Sequence, residues 1–595
     1  MTRSPSRRRS ATANSRRRSA TLLLAAVMIS QACGEPSQPS ASDPLPSQSS
    51  ATVQPSLGPF EPMVWPPDGD APCDQVQPPD ADHGAYTGSI RRIRAVDAAT
   101  VEFELCAPDP GLPTRLAMVP FAINDTAWLE SHVEPEGDGE QAIVRAVNGT
   151  GPYRLDAWNR ASDVSLVRND NYWGTPARNE RLIVRWREDP GDRIDELRSG
   201  SVDGVDDAGS SGIDAVAGDI ELMAVPRAGL NIFYVGFNNT YAPFDKAKVR
   251  LAIALGIDRE RIVETLYPPG SEIASHFSPC AIEFGCAGDP WYGFNPASAR
   301  QLLAEAGYPE GFATTIQYRD VPRPYLPDPT PVASELQAQL LANLNITAEL
   351  EVLPEETFLT TVDEGGADDI HLLGRNASVP EVSSLLDPHF GAGASSEFGK
   401  PIGALVDALG AGVATIDDAA RATAYADANN AIRANVPMIP IAHAGTLAVF
   451  RADVGQAVAS PMRTERFAAM TPGDRRQLVW LMASEPEGLY CADESSPASH
   501  LVCAQLVEGL FGFAPDSASV VPSLATACEP VPELTTWTCT LRTGVLFHDG
   551  TTLDANDVVL SFAAQWDAEH PLHAGREGRF QPFIDTFGGL LNPPA

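Results

Sequence analysis

The chain has 595 residues, several times the ~150 of a typical domain, which excludes a small stapled scaffold and leaves room for more than one lobe. Hydrophobic residues make up 43% and charged residues 20%, an ordinary globular composition. Lys and Arg number 42 against 78 Asp and Glu, a net charge of −36, and so acidic a surface repels phosphate backbones and argues against a nucleic-acid partner.

The first residues read as an export signal. Seven arginines, Arg3, Arg7 to Arg9 and Arg16 to Arg18, precede TLLLAAVMIS, an apolar run of 10 residues from Thr21 to Ser30. That is too short to span a bilayer and suits a signal-peptide core. Ala32-Cys33 then resembles a bacterial lipoprotein box, with Ser30 and Gln31 in place of the usual Leu and small residue. The resemblance implies residues 1–33 as a lipoprotein signal peptide and lipid on Cys33; simple cleavage nearby is the alternative. Arg16-Arg17 leaves twin-arginine export open beside a plain Arg-rich n-region. From Gly34 to about Pro59 the chain is rich in Ser, Pro, Gln and Ala. Such a stretch buries too little surface to offset its ordering entropy, so a disordered tether is expected, bounded at residues 34–68. No later run has 18 consecutive apolar residues. The expected location is the outer face of the cell membrane, held by lipid, or the periplasm.

The elements follow in order. SIRRIRAVDAATVEFELCAP alternates, with Val101, Phe103 and Leu105 on one face, and predicts a strand or a hairpin. NGTGPYRLDAW (Asn148 to Trp158), DVSLVRNDNYWG (Asp163 to Gly174) and RLIVRWRED (Arg181 to Asp189) predict three more strands, and the stretch to Gly200 a helix. LNIFYVGFNN (Leu230 to Asn239) is a continuous apolar run, a buried strand. Asp245 is the expected N-cap of a helix carrying Val249, Ala252 and Ile253, and Asp258 caps a second. Asn295 caps a third, with Pro296 first and Gly307 past its end. A helix from Ser334 leads into a strand, DDIHLLGRN (Asp368 to Asn376) is a buried strand, and a long helix precedes another from about Met438. Near the end come a buried strand, LVWLMASEP (Leu478 to Pro486), and an alternating one with Trp537, Cys539 and Leu541 on one face. Asp549-Gly550 is turn chemistry. Asp554 caps the helix DANDVVLSFAAQW, with Asp557 completing a capping box. Strands alternating with helices give an α/β class with mixed sheets.

Beyond Cys33 there are eight cysteines, an even set that favours disulfides after export. Eight allow 105 pairings; local spacing favours Cys280–Cys286, Cys491–Cys503 and Cys528–Cys539, which leaves Cys73–Cys106. No paired C-x-x-C supports zinc, and the ten histidines are scattered, so no metal and no cofactor is expected.

Six stretches together, NGTGPYRL, VRNDNYWG, YVGFNNTYAPFDKAKVRLAIALGIDRERIV, PASARQLLAEAGYPEG, LVEGLFGFAPD and LRTGVLFHDGTTLDANDVVLSF, resemble the extracellular solute-binding proteins of peptide and nickel ABC importers. The resemblance covers most of Ile90 to Trp566. It implies a two-lobed periplasmic-binding-protein type II fold with an extra subdomain. The order departs from the family, in which FHDG-type and LVWLMASEP-type segments come early, before GTGPY. We therefore expect a circular permutation, with 69–239 as first lobe, 240–450 as second lobe, 451–595 returning to the first, and Ile90 to Leu105 packed beside Thr535 to Phe562. A fusion of two partial domains is the alternative.

The family resemblance implies lobe closure on a solute, an oligopeptide or dipeptide foremost, with delivery to ABC importer permeases by a monomer that catalyses nothing. In peptide-binding relatives an Asp after a strand like DDIHLLG pairs with the peptide amine. Here GRNASVPEVSSLLDP puts Ser383 near that position, Glu381 two residues earlier, and Arg375-Asn376 at the strand end. Glu381 is the local carboxylate able to hold a cation, and Arg375 could pair with a ligand carboxylate. Glu485, Tyr490 and His276 are further pocket candidates, each beside a strand end or turn. An exported hydrolase of peptides or glycosides is the competing class, although G-x-S-x-G, H-E-x-x-H and a phosphate loop are all absent. A surface receptor or sensor on the same fold is the third.

Overall fold

The computed structural model describes residues 60–73, 86–133, 141–209 and 216–593. The expected signal peptide, Cys33 and the tether up to residue 59 lie outside the described residues. Among the described residues no helix is long and apolar enough to cross a membrane.

Three large mixed or antiparallel sheets organise the chain. The first, of five strands, runs Val64–Trp65, Ile90–Asp97, Thr100–Leu105, Thr536–Leu541 and Ala525–Pro530 in spatial order. Its centre joins the two extremities of the chain: Thr100–Leu105 pairs antiparallel with Thr536–Leu541, Val101 opposite Cys539 and Phe103 opposite Trp537. Val101, Phe103 and Leu105 point inward, where Phe103 meets Phe562 edge-on at 5.2 Å on the helix Ala555–Trp566. That helix starts as the sequence dictates. Asp554 Oδ1 accepts from Asn556 N at 2.8 Å, and Asp557 Oδ2 accepts from Asp554 N at 2.9 Å.

Residues 60–68, which the sequence reading placed in the expected tether, pack against this core. Phe60, Met63 and Trp65 pack on the apolar cluster, Met63 N donates to Asn556 Oδ1 (2.8 Å), and Trp65 Nε1 donates to Asp567 Oδ2 (3.2 Å). Two aromatics and a methionine supply apolar side chains that the composition of the preceding Ser/Pro stretch does not offer.

The second sheet has seven strands: Tyr153–Asn159, Asp163–Arg168, Arg181–Trp186, Gln477–Met482, Gly204–Val205, Thr446–Arg451 and Leu222–Arg227. Gln477–Met482 lies in its middle, parallel to both neighbours. Its continuous apolar run is explained by burial on two faces. Leu478, Trp480 and Met482 enter one core, and Val479 and Leu481 enter the other.

The third sheet is formed entirely by residues 231–443: Glu272–Ile273, Met438–His443, Asn231–Phe237, Ile370–Asn376, Ala313–Tyr318 and Thr347–Val352. All seven residues of Asn231–Phe237 are buried between two antiparallel neighbours. This strand therefore belongs to the third sheet, with the residues expected in the second lobe, whereas the sequence boundary at 239/240 assigned it to the first lobe. Asp258 and Asn295 cap their helices, accepting from Arg261 N and Ser298 N at 3.1 Å each. Asp245 does not: the helix Ala247–Gly256 starts one residue later, from Lys246, which supplies no side-chain cap.

The eight cysteines are joined as Cys73–Cys106, Cys280–Cys286, Cys491–Cys503 and Cys528–Cys539. Cys528 and Cys539 sit directly opposite in antiparallel register.

Candidate functional site

Among the described residues the chain passes between the two sheet systems twice, from Arg227 to Asn231 and from His443 to Thr446. The two crossings touch backbone to backbone. A Cβ on Gly229 would lie 2.1 Å from the Ala444 carbonyl oxygen, and one on Gly445 would lie 2.0 Å from that of Gly270. Neither neighbour is a side chain that can swing away, so both positions need glycine. Asn231 locks the crossing: Nδ2 donates to Ala444 O and Oδ1 accepts from Ala444 N, both at 2.8 Å. Burial pushes the His443 imidazole down to about 4, so it is neutral at pH 7 and its Nδ1–H donates to Asn231 O at 2.6 Å.

On the first-lobe side, buried Arg227 sits beside the crossing. It donates to Asp206 (2.5 Å), Glu465 (2.5 Å) and Thr446 Oγ1 (3.1 Å). Arg463 approaches Asp206 at 3.5 Å. A buried ion cluster of this kind is destabilised strongly by loss of one member.

The lobes meet again away from these crossings. Strand Ile370–Asn376 runs into a short loop and then the helix Val382–Phe390. Glu381, just before that helix, is buried and receives Arg421 Nη2 at 3.3 Å. Its carboxylate lies over Gly111 of the first lobe, where a Cβ would stand 2.1 Å from Oε2. Arg115, held by Asp109 at 2.8 Å, attracts the same carboxylate. Burial raises the Glu381 pKa, and the two guanidiniums pull against that rise. Gly111 has φ −88° and ψ 0°, a conformation open to any residue, so only the Glu381 contact asks for a small side chain. A third contact runs from Ala518 N to Ala281 O, 3.3 Å, inside the Cys280–Cys286 loop.

The sequence candidates fall in separate places. Arg375, half-buried, lies opposite Ile232; Asn376, exposed, lies opposite Asn231 at the crossing. Ser383 is half-buried in the first turn after Glu381. His276 is buried, with Nδ1 3.0 Å from Ser275 Oγ, and burial lowers its pKa. His276, Cys280 and Cys286 converge, but both sulfurs are in a disulfide, which leaves one ligand rather than three.

Two candidates do structural work in the first lobe. Glu485 closes the hairpin turn after Trp158, accepting from Trp158 Nε1 (3.2 Å) and Ala161 N (3.1 Å). Tyr490 is 3% exposed and packs edge-on to Phe580 at 6.1 Å. The cause is Asp493, which accepts from the backbone N–H groups of Glu577, Gly578, Arg579 and Phe580 at 2.7–3.1 Å. That clamp rolls the segment after the strand under the C-terminal loop and turns Tyr490 inward. An Asp-Glu pair after a strand end was the available signal, but its partners are remote in sequence.

A cavity of about 580 Å³ lies within the first lobe, lined by Val119, Trp173, Arg178, Arg466, Phe511 and Phe513 among others. None of the seven sequence candidates borders it.

The family model for bacterial extracellular solute-binding proteins, family 5 (middle part), matches residues 68–397 and 519–578. Di/tripeptide-binding protein 1 of Pseudomonas aeruginosa (strain UCBPP-PA14) is 26% identical over 424 residues, 70% of this chain and 77% of that protein. Heme-binding protein A of Haemophilus influenzae is 26% identical over 381 residues, 64% of this chain and 69% of that protein. Among solved structures, HbpA2 from Haemophilus parasuis is similar with a TM-score of 0.57 at 27% identity, over 63% of this chain and 74% of that one. With its mixed sheets and two sheet systems joined by paired crossings, the chain belongs to the bacterial extracellular solute-binding proteins of family 5 and has their two-lobed type II periplasmic-binding fold.

Proposed function

We propose that this protein is the capture component of an ABC importer: it closes two lobes around a peptide or similar small solute and hands it to the membrane permease. It works as a monomer without a cofactor and without chemistry, tethered by lipid on Cys33. The observation that carries the reading is the paired glycine crossing at Gly229 and Gly445, with a separate contact between the lobes at Glu381 and Gly111. Two thin crossings permit rotation; a distant contact gives the rotation an end point. A ligand touching both lobes only when they meet favours that state by its differential affinity. Peptide is the leading ligand class because a relative named for di- and tripeptides aligns over most of its length.

We further infer that the order of the chain is a circular permutation of the family unit, with residues 69–230 and 446–595 composing the first lobe. The pairing of Thr100–Leu105 with Thr536–Leu541, and the central place of Gln477–Met482 in the first-lobe sheet, support it. Exposed loops tolerate such relocated termini.

Mass spectrometry of solute co-purified with the full chain, followed by a thermal-shift panel, tests the function. A cognate dipeptide at a hundred times its Kd adds about 2.7 kcal/mol of stability. Turnover of peptides or glycosides that disappears on changing a single carboxylate would overturn the reading.

A further inference from the structure

Among the described residues, one group of three potential metal ligands converges: His276, Cys280 and Cys286, whose ligand atoms all lie within 4.8 Å of one another. No other disulfide among the described residues gathers a third such ligand. His276 is 7% exposed, and its Nε2 is buried without a hydrogen-bond partner. Ser275 Oγ ties the group together, 3.0 Å from His276 Nδ1 and 3.8 Å from each sulfur. Cys280 is exposed and Cys286 half-buried, so solvent reaches the pair.

The loop has supports other than its disulfide. Ala274 N donates to Ile441 O at 3.1 Å and Trp291 N donates to Ser275 O at 2.7 Å, which fixes the two residues before His276. Phe277 and Ile282 are buried in the second-lobe core. Asn429 Nδ2 donates to Gly285 O (3.3 Å) and Ala287 O (2.9 Å), on either side of Cys286. Opening the disulfide therefore keeps the three ligands close together. We propose that the reduced form of this loop is a zinc site, with the Cys280 and Cys286 thiolates and a His276 ring nitrogen as ligands and the fourth position open to water. A dithiol reductant supplies the two electrons and two protons that convert the S–S bond into two thiols, and is itself oxidised to a disulfide. Zinc then displaces both thiol protons to solvent, and the two thiolates balance its charge beside a neutral imidazole. Ligand atoms of a tetrahedral zinc stand about 3.5–4 Å apart, within the 4.8 Å seen here. Disulfide and zinc exclude each other, since each consumes both sulfurs. Either one closes the loop whose Ala281 carbonyl accepts from Ala518 N of the first lobe at 3.3 Å. The site is independent of the capture reading.

The test uses the full chain in detergent, reduced with dithiothreitol, freed of it under argon, and titrated with cobalt(II) as a spectroscopic stand-in and then with zinc in competition. Iodoacetamide labelling with peptide mass spectrometry establishes which cysteines are reduced. The reduced wild type shows thiolate-to-cobalt charge transfer and tetrahedral d–d bands that zinc abolishes, and zinc protects Cys280 and Cys286 from alkylation. The oxidised chain shows no such bands. Cys280→Ser with Cys286→Ser removes the bands, and His276→Ala weakens zinc at least about tenfold. The thermal transition of each variant before reduction verifies its fold, and the alkylation protection of the wild type needs no variant. Bands that persist in the double variant, a zinc affinity that His276→Ala leaves unchanged, or alkylation of Cys280 and Cys286 at full rate in saturating zinc overturns the site. So does a Cys280–Cys286 bond that dithiothreitol leaves closed in the folded chain.

Discussion

The two places where the lobes meet are built from different materials. At the crossings, backbone presses on backbone. Gly229 and Gly445 admit no Cβ, Asn231 bonds both polar groups of Ala444, and a neutral His443 fills the remaining space. At the far contact, a flexible carboxylate rests on a glycine that could be any residue by backbone geometry. The first is an integral part of the fold; the second, under the proposed closure, is a stop that opens without unfolding anything. The proposed closure therefore draws on other residues than the stability of the crossings, and each can be broken alone.

The largest effect belongs to the crossing. Gly445→Val drives a side chain into the Gly270 carbonyl, 2.0 Å from the new Cβ, and into the Arg227 carbonyl at 2.6 Å. Unfolding free energy drops by more than about 3 kcal/mol, read in urea, or the chain fails to fold. Asn231→Ala comes next. It leaves the buried N–H and C=O of Ala444 without their partner and costs about 2–4 kcal/mol.

Acid separates the two regions by sign. The folded pKa of His443 is about 4, below its unfolded 6.5, so the unfolded state binds more protons between those values. Its stabilisation is complete above pH 6.5 and is lost as pH falls towards 4, about 2 kcal/mol between pH 7 and pH 5. Asp387, on the helix that follows Glu381, is raised to about 6 by burial. There the folded state binds more protons, so acidification from pH 7 to pH 5 returns up to about 1 kcal/mol, less for its partial exposure. Denaturant curves of wild type and Asp387→Asn at the two pH values resolve the opposing slopes: the variant loses more on acidification.

Gly111→Ala has the smallest effect on stability, within about 0.5 kcal/mol, since its φ and ψ suit alanine. It nevertheless props the lobes apart against Glu381 and weakens solute binding several-fold. Adding Glu381→Ala restores closure. The pair is a double-mutant cycle across the interface, with coupling expected between residues in contact.

How much of this could be read from the sequence follows from the range of each interaction. The β character of Ile90–Leu105 was legible from alternation, since strand period is local, while strand and hairpin stayed open until the pairing was seen. So were the caps Asp258, Asn295 and Asp554, whose acceptors lie two or three residues away. Asp245 was misread because Lys246 follows it and the helix starts later. Candidate site residues were far less legible. Strand-end logic singled out Tyr490, but Asp493 recruits residues 577–580 and buries it. Nothing local to Glu381 points to Gly111; the pair exists only once the sheets are assembled.

Small-angle X-ray scattering of the full chain in detergent-matched buffer, with and without a saturating solute recovered by co-purification, addresses capture by closure most directly. The account predicts a radius of gyration that falls to one compact value when solute is added, and a Gly111→Ala chain that stays larger at the same solute concentration. Identical scattering for wild type and Gly111→Ala, unchanged by a solute that binds, would contradict it.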